Sequence, residues 1–434
     1  MQTMQTRKSS LYPIIFIGLL FFVFGFVTWL NGTLIPFLKL VCELETDFQA
    51  FFVTSAFYMA YFFLAIPSSV ILKKTGFKNG MALGLLIIAI GSILFVPAAN
   101  SRSFGLFLTG LFVQGMGLAL LQTAVNPYMS VIGPIESAGK RISIMGICNK
   151  VAGILSPIIL GALVLKNATG IEEQVKAATD AGVKNALLDQ LANRVITPYV
   201  VITIVLVILA FVVTKSSLPE VDVDKEEPAA DGVAEVRTSI FQYRHLMLGF
   251  VCMFLYVGVE VMAGDAIGAY GRELGMPLDE TKYFTPFTLL AMLIGYIIGI
   301  IAMPKYISQQ KALAASAVLG AVFSICVFLT SGYASVVFIA LLGLANALMW
   351  PTIFPLGISG LGRLTKIASG LLIMGIAGGA IIPLIYTTLK DRGILTNAQS
   401  FLVCMLPAYL YILFYALRGH RTSASVKQVA IAAV

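Results

Sequence analysis

The sequence is short of charge. Of its 434 residues only 12% are Asp, Glu, Lys or Arg, about half the share of a soluble domain. Histidine and tryptophan occur twice each, and the five cysteines are scattered, no two within ten residues. Each shortage excludes something. A soluble chain of this length needs more polar surface to cover its core, so an ordinary soluble enzyme and a disordered protein are ruled out. The two histidines, His245 and His420, both flank basic segments, so no histidine metal site or Ser-His-Asp triad can be assembled. An odd number of dispersed cysteines, four of them inside apolar runs, reads as small buried hydrophobes and not as a disulfide framework.

What is abundant is apolar. Hydrophobic residues make up 59% of the chain, and the mean hydropathy is +0.93. Twelve apolar segments can be read, at 12–38, 48–72, 80–99, 103–132, 142–165, 196–214, 245–271, 284–303, 312–331, 334–358, 368–389 and 398–417. Each is long enough to span a bilayer. The runs do not alternate polar and apolar residues, which excludes a β-barrel. The expected fold is an all-α polytopic membrane protein of twelve transmembrane helices. Arg7 and Lys8 precede a first apolar stretch longer than a signal-peptide core and without a small-residue cleavage site, so it reads as a retained span.

Basic residues set the orientation. With residues 1–11 in the cytoplasm, 18 Lys and Arg fall in cytoplasmic segments and 10 outside, as the positive-inside rule requires. The net charge of +8 is read as this bias and not as a nucleic-acid surface. Twelve spans return the tail, 418–434, to the cytoplasm. Residues 166–195 carry mixed charge and are expected to form an amphipathic helix on the outer face. Residues 215–244, with "LPEVDVDKEEPAADG", read as a flexible cytoplasmic linker between six-helix halves at 12–214 and 245–417.

Weak internal repeats support the two halves. Gln122, Asn126 and Pro127 in span 4 align with Trp350, Phe354 and Pro355 in span 10. Gly153 and Pro157 in span 5 align with Gly379 and Pro383 in span 11. "VFG" before Thr28 matches "YVG" before Glu260. Such a duplication puts a substrate site at the midplane, between the halves.

Three charges are left inside spans: Lys150, Glu260 and Asp265. An ionised side chain at mid-membrane costs at least about 2.5–3.5 kcal/mol, so each is expected to face a wet cavity or a partner. Glu260 reads as a carboxylate that binds sugar hydroxyls or takes part in cation coupling, against a structural ion pair. Asp265, about 140° further round the helix, does not share its face, and outer-end solvation competes with function there. Lys150 is a counter-charge candidate, against snorkelling or a fixed pair. If all three ionise, the interior carries one net negative charge, which one bound monovalent cation would neutralise.

Neutral polar groups complete the candidate site. Asn31 lies three residues after Thr28, and Asn126 four after Gln122, each pair on one helix face. Asn149 and Asn346 stand on spans 5 and 10. Amides offer donors and an acceptor, which suits a neutral polyol, and Trp350 could pack on a sugar ring. Interhelical bonding is the alternative for any one amide. "GPIESAGKR" is one residue too long for a phosphate loop and has Arg141 where Ser or Thr is needed. No ATP chemistry is indicated, and uphill transport would draw on an ion gradient.

The stretches "FGFVTWLNGTLIPFL", "SAFYMAYFFLAIPSSVILKKTGFKNG", "GLALLQTAVNPY" and "YVGVEV" resemble the fucose/glucose/galactose:cation symporters of the major facilitator superfamily, over nearly the whole chain except linker and tail. The resemblance implies a twelve-helix transporter of the bacterial inner membrane that imports monosaccharides with H⁺ or Na⁺ by alternating access. Fucose–proton members carry an acidic residue in span 1, where Gly32 stands here, and Glu in span 4, where Gln122 stands. Asn149 matches their cavity asparagine. The chain is more similar to the glucose/galactose branch, often Na⁺-linked; Lys150 belongs to neither motif. Gly32 also aligns with Asp265 across the repeat.

The expected function is therefore symport of a neutral monosaccharide with a cation, glucose or galactose first and fucose or another hexose next. Asn31, Gln122, Asn126, Asn149, Glu260, Asn346 and Trp350 are the expected substrate contacts. Glu260 and Asp265 are the coupling candidates, with Lys150 as counter-charge. Short loops at Gly76–Lys78 and Arg363–Lys366 are expected to latch the cytoplasmic side. No enzyme activity, resident metal or cofactor is expected beyond the co-transported cation, and the chain is read as a monomer in the bilayer. A passive uniporter, a multidrug-type exporter and a non-transporting receptor are the rival readings.

Overall fold

A computed structural model of the chain describes residues 5–131, 138–216 and 239–421. Most of the linker (217–238) and of the tail (422–434) lies outside the described residues. All regular structure among the described residues is helical, as a bilayer demands when every backbone group must be satisfied within its own segment. Eleven helical runs are long and apolar enough to cross a membrane. One of them, Asp47–Ser101, is 55 residues long and folds back on itself at Gly76, which gives twelve crossings. Gly76 takes φ 74° and ψ 170°, a backbone conformation open to glycine alone. Spans 2 and 3 are therefore two helices within 52–93 that meet at a sharp turn at Gly76, and span 3 is completed by Phe95–Ser101.

The other spans are Phe104–Val131 (span 4), Ala138–Val164 (5), Ile196–Lys215 (6), Arg244–Gly264 (7), Phe284–Ala302 (8), Gln309–Leu329 (9) and Asn397–Phe414 (12). Three further spans are broken, and the segment read as 245–271 stops at Gly264 and restarts as Ile267–Glu273. Span 1 is Gln5–Thr28 and Asn31–Val41, span 10 is Gly332–Asn346 and Met349–Ile358, and span 11 is Thr365–Met374 and Gly378–Asp391 joined by a 3₁₀ turn. The expected outer amphipathic helix is two helices, Ala168–Ala177 and Ala181–Asn193. Asp180 divides them, its carboxylate accepting from the Val183 N–H at 2.8 Å as an N-cap.

Helix pairs close on small residues, as membrane interfaces do. A Cβ on Gly25 of span 1 would lie 2.1 Å from the Asn149 carbonyl of span 5, and one on Gly378 of span 11 would lie 1.7 Å from the Phe254 carbonyl of span 7. The same device thus joins the equivalent spans of both halves. The faces turned away from these contacts are apolar and exposed, as with Ile204, Ile208 and Phe211 on span 6. All five cysteines are free. The end where span 1 begins is called proximal below, and the opposite end distal.

Candidate functional site

The site grows from the break in span 1. The helix is interrupted for two residues between Thr28 and Asn31, and the Trp29 indole at that point is buried. Two glycines make room for it. A Cβ on Gly153 would meet the indole at 2.5 Å and one on Gly264 at 2.4 Å. The Trp29 Nε1–H donates to Asn149 Oδ1 at 3.2 Å, and the Lys150 Nζ stands 4.2 Å from the ring centroid, within cation–π range. Lys150 Nζ then donates to Glu260 Oε1 at 2.8 Å, with side chains 6% and 12% exposed. A chain of polar contacts thus crosses from spans 1 and 5 to span 7, joining the halves at the middle of the molecule.

This chain forms one wall of a central cavity. Span 4 contributes Gln122 and Asn126, span 2 Tyr58 and Tyr61, span 7 Tyr256, span 8 Tyr296 and span 10 Trp350. The Gln122 Nε2–H donates to the Tyr61 hydroxyl at 2.9 Å. Its Oε1 has no hydrogen-bond partner among the described residues. The Asn126 Nδ2–H donates back to the Gln122 carbonyl at 3.0 Å. Trp350 is backed by Phe354, rings 6.1 Å apart and inclined by only 14°, so its other surroundings include the cavity and Tyr256 at 6.4 Å. Gly146 carries no side chain where Tyr296 approaches; a Cβ there would be 2.6 Å from that ring. The cavity therefore offers amides, phenols and two indoles around a single ion pair.

Of the residues expected from sequence, Gln122, Asn126, Asn149, Lys150, Glu260 and Trp350 line this cavity. Three others stand elsewhere. Asn346 of span 10 is buried outside this cavity, its Oδ1 accepting from the Tyr409 hydroxyl of span 12 at 2.8 Å, so its visible work is interhelical. Asn31 is buried near Tyr58 and does not line this cavity. Asp265 faces a second, distal cavity. The tyrosines and Trp29 were not singled out as contacts by sequence reasoning. The one available signal was Tyr58 and Tyr61, three apart on span 2 and so on one face.

The distal cavity is about 260 Å³ and is walled by Gly32, Pro36 and Lys39 of span 1 and by Asp265, Arg272 and Thr281. Asp265 is the C-cap of span 7 and is only 2% exposed. It is thus covered from bulk solvent at the outer end of the span and faces the cavity instead. Neither of its carboxylate oxygens has a hydrogen-bond partner among the described residues.

Around that cavity the two halves are tied by ions. Lys390 Nζ contacts Asp47 Oδ2 at 2.8 Å, Glu273 Oε1 at 2.6 Å and Asp391 Oδ1 at 2.9 Å. Lys39 also pairs with Asp47. Arg272 reaches Glu172 at 2.9 Å, and Lys176 reaches the same carboxylate at 2.8 Å. Partial burial works against the Glu172 charge, yet Lys176 and Arg272 hold its carboxyl below the usual range. Two charges that sequence sorts as loop or end groups, Asp47 and Lys282, are buried. At the proximal end, Lys73 and Lys74 are exposed, and the side chains of Arg363 and Lys366 lie outside the described residues.

The twelve crossings in two halves, with a cavity between them, are the architecture of a membrane transporter. Residues 17–384 match the Major Facilitator Superfamily, and the chain belongs to that family. It is a multi-pass membrane transport protein and not an enzyme. It is 34% identical over 422 residues, 96% of each chain, to a glucose/galactose transporter of Brucella abortus biovar 1 (strain 9-941). It is 29% identical over 378 residues, 86% of each, to the L-fucose-proton symporter of Escherichia coli (strain K12). Crystal structures of the E. coli fucose:proton symporter, one in the outward conformation, superpose with TM-score 0.76 at 27% identity, covering 95% of this chain and 99% of theirs.

Proposed function

We propose that this protein imports a neutral monosaccharide, glucose or galactose first, together with a monovalent cation, across a bacterial inner membrane. The central cavity carries the reading. Amides of Gln122, Asn126 and Asn149 and the hydroxyls of Tyr58, Tyr61 and Tyr256 supply mixed donors and acceptors, the pattern a ring of hydroxyls requires. Trp350 and Trp29 supply flat apolar faces for the C–H side of a sugar. The cavity holds one cation and one carboxylate, and these pair with each other, so it offers a net-neutral surface to a neutral solute. The names of the glucose/galactose and fucose relatives point the same way. Both termini would lie in the cytoplasm and the distal face outside, and the two halves would rock about the cavity as a monomer.

The Lys150–Glu260 pair also favours a second reading, a passive sugar uniporter, because the carboxylate in the sugar cavity is already neutralised. Purified protein in proteoliposomes separates the two. Uptake of labelled glucose, galactose and fucose is measured under an imposed Na⁺ gradient, an imposed proton gradient and neither. Accumulation above the external level under one gradient supports symport. Equilibration that ignores both gradients supports the uniporter, and no sugar flux at all would overturn both.

A further inference from the structure

The two interior carboxylates, Glu260 and Asp265, differ in their partners. Glu260 is bound to Lys150. Asp265, five residues on, has no ion pair and no hydrogen bond to either oxygen among the described residues, although it is 2% exposed. A buried carboxylate that is neither paired nor hydrogen-bonded is not stable as an anion. It must be neutralised, and the smallest species that does so is a monovalent cation.

The surroundings fit that occupant. Asp265 lines the distal cavity and not the central one, so an ion held there would not occupy the sugar cavity. Span 1 leaves room at this point. The Cβ that Gly32 lacks would stand 3.4 Å from Asp265 Oδ1 and 2.7 Å from Thr285 Oγ1. That hydroxyl, itself donating to the Gly264 carbonyl at 2.7 Å, keeps lone pairs for a hard cation, which prefers oxygen ligands. Among titratable groups, Tyr58 of span 2, Lys150 of span 5 and Glu260 of span 7 lie within electrostatic reach of Asp265. Lys39, Asp47, Glu172, Lys176 and Arg272 line the cavity above it.

We propose that Asp265 is the site of the coupled monovalent cation, and that Glu260 serves the sugar. The proposal rests on the symport reading for its consequence but not for its test. Charge arithmetic explains the division. The Lys150–Glu260 pair is neutral, so Asp265 holds the one surplus charge. Occupying it leaves the interior neutral, and only then can the site cross the membrane at low electrostatic cost.

Trp29 gives a direct readout, because its indole packs against Gly264, the residue before Asp265. Trp29 fluorescence is followed in the W350F protein, in detergent, with Na⁺ titrated at fixed pH and with pH titrated in Na⁺-free buffer. One titration is expected to give a saturable change, which identifies the ion as Na⁺ or H⁺. D265N is expected to abolish that change and D265E to retain it. E260Q is expected to keep the cation response while losing sugar binding. A monodisperse elution profile and a cooperative thermal transition matching that of the W350F parent establish that D265N is folded. A cation response that survives in folded D265N overturns the proposal, as does loss of the response in E260Q alone. In proteoliposomes, D265N is expected to lose gradient-driven accumulation. Wild-type protein that binds the ion at Asp265 but accumulates no sugar under either gradient would sink the symport reading and leave the site standing.

Discussion

Lys150 and Glu260 meet at 2.8 Å across the boundary between the halves, one from span 5 and the other from span 7. Neither is more than 12% exposed, and the ammonium also stands over the Trp29 ring. Burying two charges is expensive, and the pair repays this only while both partners are present. Removing one leaves the other charged and unpaired, at a cost of about 3–5 kcal/mol. K150M and E260Q are therefore each expected to lower the melting temperature markedly. K150M/E260Q is expected to recover much of the stability, because no orphan charge remains, yet to bind sugar poorly. Thermal unfolding of all four proteins checks the cycle. Additive losses in the double variant would mean that the two residues do not act as a pair.

Lys390 holds a different boundary. It gathers Asp47 from the first half and Glu273 and Asp391 from the second, and is itself largely buried. K390M would leave three carboxylates facing one another with only Lys39 to balance them. Loss of a buried partner of this kind weakens the contact between the halves at the distal end by on the order of 3–5 kcal/mol, enough to invert a two-state population. Spin labels at Val183 and Ile394, both exposed and on opposite halves, are expected to move apart in K390M. An unchanged distance distribution would show that the ion cluster does not govern distal closure.

Much of this was legible in the sequence, and the illegible part has physical causes. Hydropathy and the positive-inside rule marked twelve spans because lipid contact dictates composition along a helix. Helix breaks escape that logic, since Trp29–Leu30 and Ala347–Leu348 are as apolar as their neighbours. Trp29 stands at one of these breaks and lines the cavity. Helical spacing put Gln122 and Asn126 on one face, and both line the cavity. A single amide such as Asn346 has no spacing to read, and it bonds to Tyr409 instead. The distal ion cluster was hidden for another reason. Charges at span ends look like loop charges until a partner from the other half covers them.

The Glu172 bridge adds a pH dependence whose sign can be worked out. Lys176 and Arg272 hold the Glu172 carboxyl below its usual range against partial burial. A depressed folded-state pKa means that the contribution is present above the unfolded value, about 4.3 for Glu. It is lost as pH falls through the lower, folded value. The difference in melting temperature between wild type and E172Q is expected to be constant from neutral pH down to about 5, and then to shrink as the acid range is entered. The effect is small, since Arg272 and Lys176 are substantially exposed and solvent screens them. A difference that grows on acidification would reverse the assignment.

Gly32 supplies the sharpest test of where the surplus charge must be. A side chain at position 32 would begin 3.4 Å from Asp265 Oδ1, so a carboxylate hung from span 1 reaches the point that span 7 now serves. The obstacle is Thr285, whose Oγ1 would lie 2.7 Å from the new Cβ; it is the end of a short side chain, able to rotate away at the loss of one hydrogen bond, about 0.5–1.5 kcal/mol. G32D alone places two carboxylates in one buried space, where like charges cannot both ionise, and is expected to lower stability and coupling. G32D/D265N removes that conflict and keeps one carboxylate in place. It is expected to regain the ion-dependent Trp29 signal and gradient-driven accumulation that D265N lacks. If the double variant folds and binds sugar but stays uncoupled, the requirement is for Asp265 itself and its place on span 7, not for a negative charge at that point between the spans.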